Sequence, residues 1–319
     1  MELFEGSQSF SSRKFDSPVV AIGIFDGVHL GHQELMRRAR MEAKRRRCAS
    51  VVYTFEPHPV KVLSPDQCPK LLTTREQKQA QLAKLGIDAL VVEQFTRDFA
   101  SQGPGKFFDD ILQNRLRASC VVIGYDFTFG MHRQGTIETF EEMGKKCGMS
   151  SIVVPAVFAD ETLISSTVIR SMISAGEVKR ARSLLGRPYE ALGNVVPGRG
   201  FGSALAARTA NLSLASEISP KDGVYITRTL VHHEGYGKTT PDLYESVTSI
   251  GQNPTFADLP RSFETHLIDA DADLLGKTLS VEFLERIRDQ EKFISVEDLR
   301  NRIHQDIDVA RKYHGRTAR

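Results

Sequence analysis

From about Pro18 to Arg187 the chain alternates short apolar runs with longer amphipathic stretches. VVAIGIF, ASVVYTF, ALVVEQF, ASCVVIGYDF and SIVVPAV read as strands. Their nearly continuous apolar character is that of parallel strands buried on both faces. Between them HQELMRRARMEAKRRR and REQKQAQLAKLG space their apolar residues at helical intervals. In the first of these Leu35, Met36, Ala39 and Ala43 form one inward stripe. Strands and helices in alternation predict an α/β fold with a doubly wound parallel sheet.

The rhythm changes after Leu185. GRPYEALGNVVPGRGFGSA is rich in Gly and Pro, and then DGVYITRTL, ESVTSIG, FETHLID and KTLSVEFLERIR follow as strand patterns. Leu279, Val281 and Phe283 alternate as in an antiparallel strand. In SVEDLRNRIHQDIDVARKY, Val296, Leu299, Ile303, Ile307 and Ala310 recur at helical spacing, and Ser295 with Asp298 marks a capped start. The pattern predicts two domains, residues 1–186 as the α/β sheet and residues 187–319 as a small antiparallel β-barrel with a C-terminal helix. No internal repeat or low-complexity tract is visible.

Composition narrows the setting. Of the 319 residues 40% are hydrophobic and 26% charged, an ordinary globular balance. No run approaches the roughly 18 apolar residues of a membrane span. MELFEGSQSF lacks the basic and apolar regions of a secretory signal, so a cytoplasmic protein is expected. Cys48, Cys68, Cys120 and Cys147 are far apart, without a CxxC pair, and read as reduced thiols. A net charge of +2 gives no general support for polyanion binding. The basic run from Arg37 to Arg47 reads as a solvated helix face. Neither nucleic acid nor a membrane is expected as a partner, and nothing specifies an oligomeric state.

The chemistry begins at AIGIFDGVHLGHQELM, where His29 and His32 follow a strand and open a helix. An anion belongs there in an open α/β sheet, because free backbone N–H groups and the helix dipole point outward beyond the carboxyl end of the strand. Gly27 and Gly31 let the backbone approach a ligand, and two imidazoles can donate to a crowded phosphate chain. An isolated His-x-Gly-His is equally compatible with incidental loop histidines; the strand–loop–helix setting favours function. ISSTVIRSM places Ser165, Ser166, Thr167 and Arg170 at another helix start, hydroxyls and a guanidinium suited to outer phosphates. Taken alone, an ordinary Ser/Thr N-cap explains that motif as well.

GIFDGVHLGH, TFEPHP, GYDFTFGMHRQG and ISSTVIR, in this order and spacing, closely resemble the bacterial bifunctional riboflavin kinase/FMN adenylyltransferase family. LLGRPYEALGNVV, IGQNPTF and the stretch from FETHLID to VARKY extend the resemblance over nearly the whole chain. The resemblance implies that riboflavin is phosphorylated to FMN and FMN adenylylated to FAD, with ATP and Mg²⁺. It places His29 and His32 at the α-phosphate, Ser165, Thr167 and Arg170 at the β and γ phosphates, and Asp126 and Arg133 on the flavin-phosphate side. Where the family usually has Asn, this chain has Ile24, which removes a polar contact near the nucleotide. His58, between two prolines, is a secondary candidate near the same site.

For the kinase step the resemblance points to Thr209 and Asn211 in RTANL, for Mg²⁺ and ATP phosphates, and to Glu264 in FETHLI as catalytic base. A base makes sense there because the flavin's ribityl hydroxyl is a neutral nucleophile. Strand alternation sets Glu264 opposite to Phe263, Thr265 and Leu267, a position equally natural for a solvent-facing strand residue. The loop before Thr209 departs from the family: Ser203, Ala206, Ala207 and Arg208 replace its Arg, second Gly, Phe and Pro. Gly202, closing GRGFG, remains available for a phosphate loop. A second reading is therefore an adenylyltransferase alone with a degenerate kinase domain. A flavin sensor without turnover, or another HxGH nucleotidyltransferase, fits the motifs less well. His232-His233 has no carboxylate or Cys at matching ligand spacing.

Overall fold

Six strands form one parallel sheet: β1 (Glu2–Glu5), β2 (Val19–Ile22), β3 (Ser50–Glu56), β4 (Ala89–Gln94), β5 (Cys120–Gly124) and β6 (Ser150–Val154). Their order is β1-β4-β3-β2-β5-β6. The structure is a computed structural model and describes residues 1–11, 14–197, 209–252, 261–270 and 272–317. The apolar runs are continuous because alternate residues serve two cores. Val20, Ile22, Val51, Tyr53 and Val91 face one cluster with Phe107, Phe108, Leu112 and Phe140. Val19, Ala21, Val52, Leu90 and Val122 face the other, against Leu35, Met36, Ala39 and Ala43. Those last four are the predicted stripe of the helix Leu30–Arg46. Full burial of a side chain such as Met36 is worth about 1.5–3 kcal/mol. A hairpin, β7 (Phe158–Ala159) and β8 (Thr162–Leu163), leads out of the sheet.

The basic run on that first helix is partly neutralised within the helix. Glu34 takes Arg37 and Arg38, and Glu42 takes Arg45 and Arg46. Hydrogen bonds from Arg37 to Glu34, and from Arg45 to Glu42, bring each carboxyl down to about 2. Arg46 also donates to the Ser119 carbonyl and the Ser150 hydroxyl, tying the helix to the sheet.

The barrel strands are β9 (Tyr189–Val196), β10 (Thr209–Leu214), β11 (Gly223–His232), β12 (Asp242–Gly251), β13 (Ser262–Leu267) and β14 (Thr278–Arg288). They close in the order β10-β13-β12-β11-β14-β9, every pairing antiparallel. Register shifts in the β11–β14 ladder at Val224/Tyr225 and Ile226/Thr227 supply local curvature. Tyr225, Phe263 and Phe283 pack together, while Val224, Ile226, Val247 and Leu284 are covered by Ile307 and Ala310 of the helix Val296–Thr317. Ser295 caps that helix, accepting from the Asp298 N–H. Val296 stays exposed in its first turn. Arg288 on β14 pairs at 2.7 Å with Asp306 of the helix, both almost fully buried.

By compactness the chain divides into two units, Met1–Pro69 with Lys78–Ser165, and Lys70–Gln77 with Ser166–Arg319. The helices Ser166–Ser174 and Val178–Leu185 belong to the second.

Candidate active sites

In the parallel sheet the order runs outward from β2 through β3 and β4 on one side and through β5 and β6 on the other. The gap between the carboxyl ends of β2 and β5 is thus the topological switch point, where open α/β sheets bind ligands. The loop carrying Gly27 follows β2 and ends at His29, with Gly31 in the first turn of the next helix, and the loop carrying Asp126 and Arg133 follows β5.

The β2 loop is tightly wound. Phe25 (φ 55°), Gly27 (φ 80°) and Val28 (φ 40°) all have positive φ. For a β-branched residue such as Val28 this costs about 1–3 kcal/mol and persists only where the surroundings enforce it. Thr54, the first residue of TFEPHP, donates its hydroxyl to the Ile24 carbonyl at 3.1 Å, and Gln33 donates to the Val28 carbonyl at 2.9 Å. The loop delivers His29 as the N-cap of the helix, where its Nδ1 accepts from the His32 N–H at 3.3 Å. With Nδ1 accepting, the neutral ring carries its proton on Nε2 and is a donor there. His32 stacks on His29 with ring centroids 3.5 Å apart and meets Phe25 edge-on.

Gly31 has a nearer neighbour than a ligand. A Cβ added there would lie 3.2 Å from Cε1 and Nδ1 of His29. Beyond any approach of a ligand, the absent side chain of Gly31 makes room for the His29 imidazole. His58 is buried and caps the helix Pro59–Leu63, its Nδ1 accepting from the Val60 N–H at 3.2 Å.

Asp126 and Arg133 are exposed. Their loop is pinned by paired Phe129–Gly135 hydrogen bonds of 3.0 and 2.8 Å, with Phe127 stacked on Phe129. His132 and Arg133 both have positive φ, another stretch of enforced backbone. Ser165 ends the first unit, whereas Ser166, Thr167 and Arg170 lie on the helix that begins the second unit's longer segment. Arg170 Nε donates to the Lys70 carbonyl at 2.9 Å.

On the barrel, Asn211 of β10 stands directly opposite Glu264 of β13, and Thr209 opposite His266. Ala210, Leu212, Phe263, Thr265 and Leu267 are buried, so alternation sets Thr209, Asn211 and Glu264 on the other face. Ser249 of β12 is the cross-strand neighbour of Glu264 on its other side. Gln290 donates to the Ser249 hydroxyl and the Ile250 carbonyl, both at 2.9 Å. Sequence reasoning missed Gln290, which lies beyond a strand end where no periodicity marks it. Gly202, Ser203, Ala206, Ala207 and Arg208 lie outside the described residues.

The remaining histidine pair separates. His232 shares a hydrogen bond with Ser280 at 2.9 Å, and His233 one with Asp242 at 2.8 Å. Burial, with a smaller effect of His233, pushes the His232 imidazole below its ordinary range. Among the described residues no cluster of His, Cys, Asp and Glu could hold a metal, and no helix is long and apolar enough to cross a membrane.

A family model described as FAD synthetase matches residues 12–168, and one described as riboflavin kinase matches residues 185–314. Over 318 residues the chain is 33% identical to the bifunctional riboflavin kinase/FMN adenylyltransferase of Escherichia coli K12, covering 99% of both. It is 35% identical over 301 residues to the protein of that name from Bacillus subtilis 168, covering 92% of both. It also resembles a crystal structure described as a macrolide-efflux protein from Streptococcus pneumoniae: TM-score 0.85, 32% identity, 98% of this chain and 99% of that one. Efflux is said of that protein alone. Two matched models in chain order, and near-complete coverage of relatives above 30% identity, assign this chain to the bifunctional riboflavin kinase/FMN adenylyltransferase family.

Proposed function

We propose that this chain carries both activities of its family, with residues 187–319 phosphorylating riboflavin and residues 1–186 adenylylating FMN. The substrates are ATP, riboflavin and FMN, and the products FMN and FAD. The setting is the cytoplasm. The observation that carries the residue assignment is the His29–His32 stack at the switch point of the parallel sheet.

In the adenylylation step an oxygen of the FMN phosphate attacks the α-phosphorus of ATP, and the bond to the β-phosphate oxygen breaks, releasing pyrophosphate. A phosphate is already ionised at neutral pH, so no base is needed and catalysis rests on position and charge stabilisation. His29 donates from Nε2 to an α-phosphate oxygen, in the orientation its cap bond and the His32 stack impose. Asp126 and Arg133 hold the flavin-phosphate side. Ser165, Ser166, Thr167 and Arg170 serve the β and γ phosphates, a role resting on their motif.

In the kinase step Glu264 takes the proton of the terminal ribityl hydroxyl as its oxygen attacks the γ-phosphorus, and ADP leaves. Asn211 stands across the ladder from it. The hydroxyl of Thr209 and the amide oxygen of Asn211, on one barrel face, are hard oxygen donors that suit Mg²⁺ held chiefly by ATP phosphates. Bound there with ATP, Mg²⁺ would supply neutralisation of the phosphate charge.

His29→Ala is expected to cut FAD formation from FMN by about two to three orders of magnitude, the loss typical for a preorganised donor, while riboflavin phosphorylation continues. Glu264→Gln is expected to abolish FMN formation and spare FAD formation from supplied FMN. Equal loss of both activities in either variant refutes separate sites.

A further inference from the structure

Among the apolar side chains inside the barrel, Thr227, Thr229, Ser246, Thr248 and Thr265 are buried with no exposure at all. Their hydroxyls form a closed cycle. Thr227 meets Ser246 at 2.8 Å, Ser246 meets Thr229 at 2.8 Å, and Thr229 meets Thr265 at 3.2 Å. Thr265 meets Thr248 at 2.9 Å, and Thr248 returns to Thr227 at 2.8 Å. In such a cycle every hydroxyl donates once and accepts once, so no buried donor is left over, and each bond polarises the next.

Stability alone does not call for this arrangement, because apolar residues of similar shape in all these places can be nearly neutral or stabilising. Specificity does. Strand alternation prevents a slip by one residue, which would turn Glu264 inward, but it is blind to a slip by two. In the observed register the inward pairs of β12 and β13 are Ser246–Leu267, Thr248–Thr265 and Ile250–Phe263. A slip by two would set Leu267 or Phe263 against Thr248 and leave ring hydroxyls buried without partners, their lost hydration uncompensated. The residue this register controls on the outer face is Glu264, whose neighbours are Asn211 on β10 and Ser249 on β12.

We propose that the buried hydroxyl ring is a positioning device for riboflavin phosphorylation, locking β13 against β12 so that Glu264 stands opposite Ser249. The proposal rests on Glu264 as the catalytic base. Thr265 is the key member, because it is adjacent to Glu264 in sequence and completes the ring from β13. It never touches the substrate. Opening the ring lets β13 shift or fluctuate, which displaces the base from its working distance and reduces turnover more than binding.

The test is steady-state kinetics of the full chain. Thr265→Val keeps the shape and removes the hydroxyl; the kinase kcat is expected to fall about tenfold, with KM for riboflavin and ATP within about twofold. Thr265→Ser restores the ring and is expected to recover most of the turnover, and FAD formation from FMN stays unchanged in both. Val281→Ala, buried in the same barrel, is expected to lower the melting temperature and leave kcat intact well below it. Ser246→Ala opens the ring away from Glu264 and decides the matter by the same readouts if Thr265→Val does not fold. Wild-type kcat in a folded ring-opened variant, or an equal kcat loss in Val281→Ala, overturns the proposal. Glu264→Gln tests the assumption beneath it: phosphorylation at the wild-type rate in that variant removes the base, and the positioning role with it.

Discussion

Gly31 offers a substitution in which stability and activity should part. It sits in the first turn of the helix Leu30–Arg46, where alanine is the better helix former by about 1 kcal/mol. A new Cβ there would lie 3.2 Å from the His29 ring, closer than ordinary van der Waals contact. The imidazole must yield by a few tenths of an ångström, but it is held by the His32 N–H at 3.3 Å and by the stacked His32 ring at 3.5 Å. Tilting off its rotamer costs about 0.5–1.5 kcal/mol, similar in size to the gain in helix propensity. Gly31→Ala should therefore melt within a few degrees of the wild type. The Nε2 donor, however, is displaced from the α-phosphate, and with about a hundredfold lost for a full ångström, a shift of a few tenths is expected to cost about three- to tenfold in rate. The assay is FAD formation from FMN and Mg-ATP, resolved by chromatography, with thermal unfolding and riboflavin phosphorylation measured on the same preparation. Full adenylylation by Gly31→Ala would refute the reasoning that this glycine exists to seat His29.

Two further expectations concern the barrel unit. Asp306→Ala leaves the buried Arg288 guanidinium without its main partner, at a cost of about 3–5 kcal/mol in denaturant unfolding, and a loss below about 1 kcal/mol would contradict the pairing. For His232 the folded state favours the neutral ring, so the unfolded chain takes up the proton first and stability falls as pH drops below about 6.5. His232→Asn should flatten that part of the stability profile, read as melting temperature against pH; an unchanged slope would remove the assignment.

The parallel sheet was legible because its strands are covered on both faces, which leaves almost no polar residue within a run such as VVAI. Strand β1 escaped because ELFE is short and lies at the sheet edge, where Phe4 alone is buried, against Phe10 and Phe15. In the barrel, alternation correctly separated Glu264 from Phe263 and Thr265. It set Thr265 on the inward face but gave no sign of the hydroxyl ring, because Thr229, Thr248 and Thr265 come from three strands that meet only when the barrel closes. The histidine pair was visible as spacing, but the cap bond, the stack and the work of Gly31 depend on side-chain directions that no spacing contains. Gln290 reaches Ser249 across 41 positions of sequence, a distance over which local patterns say nothing.

The central claim, two activities on one chain, is tested most directly by the purified protein in two reactions, Mg-ATP with riboflavin and Mg-ATP with FMN. Separation of the flavins should show FMN and then FAD in the first reaction and FAD in the second. FAD from FMN alone would contradict the kinase assignment of the barrel, and no FAD in either reaction would contradict the account as a whole.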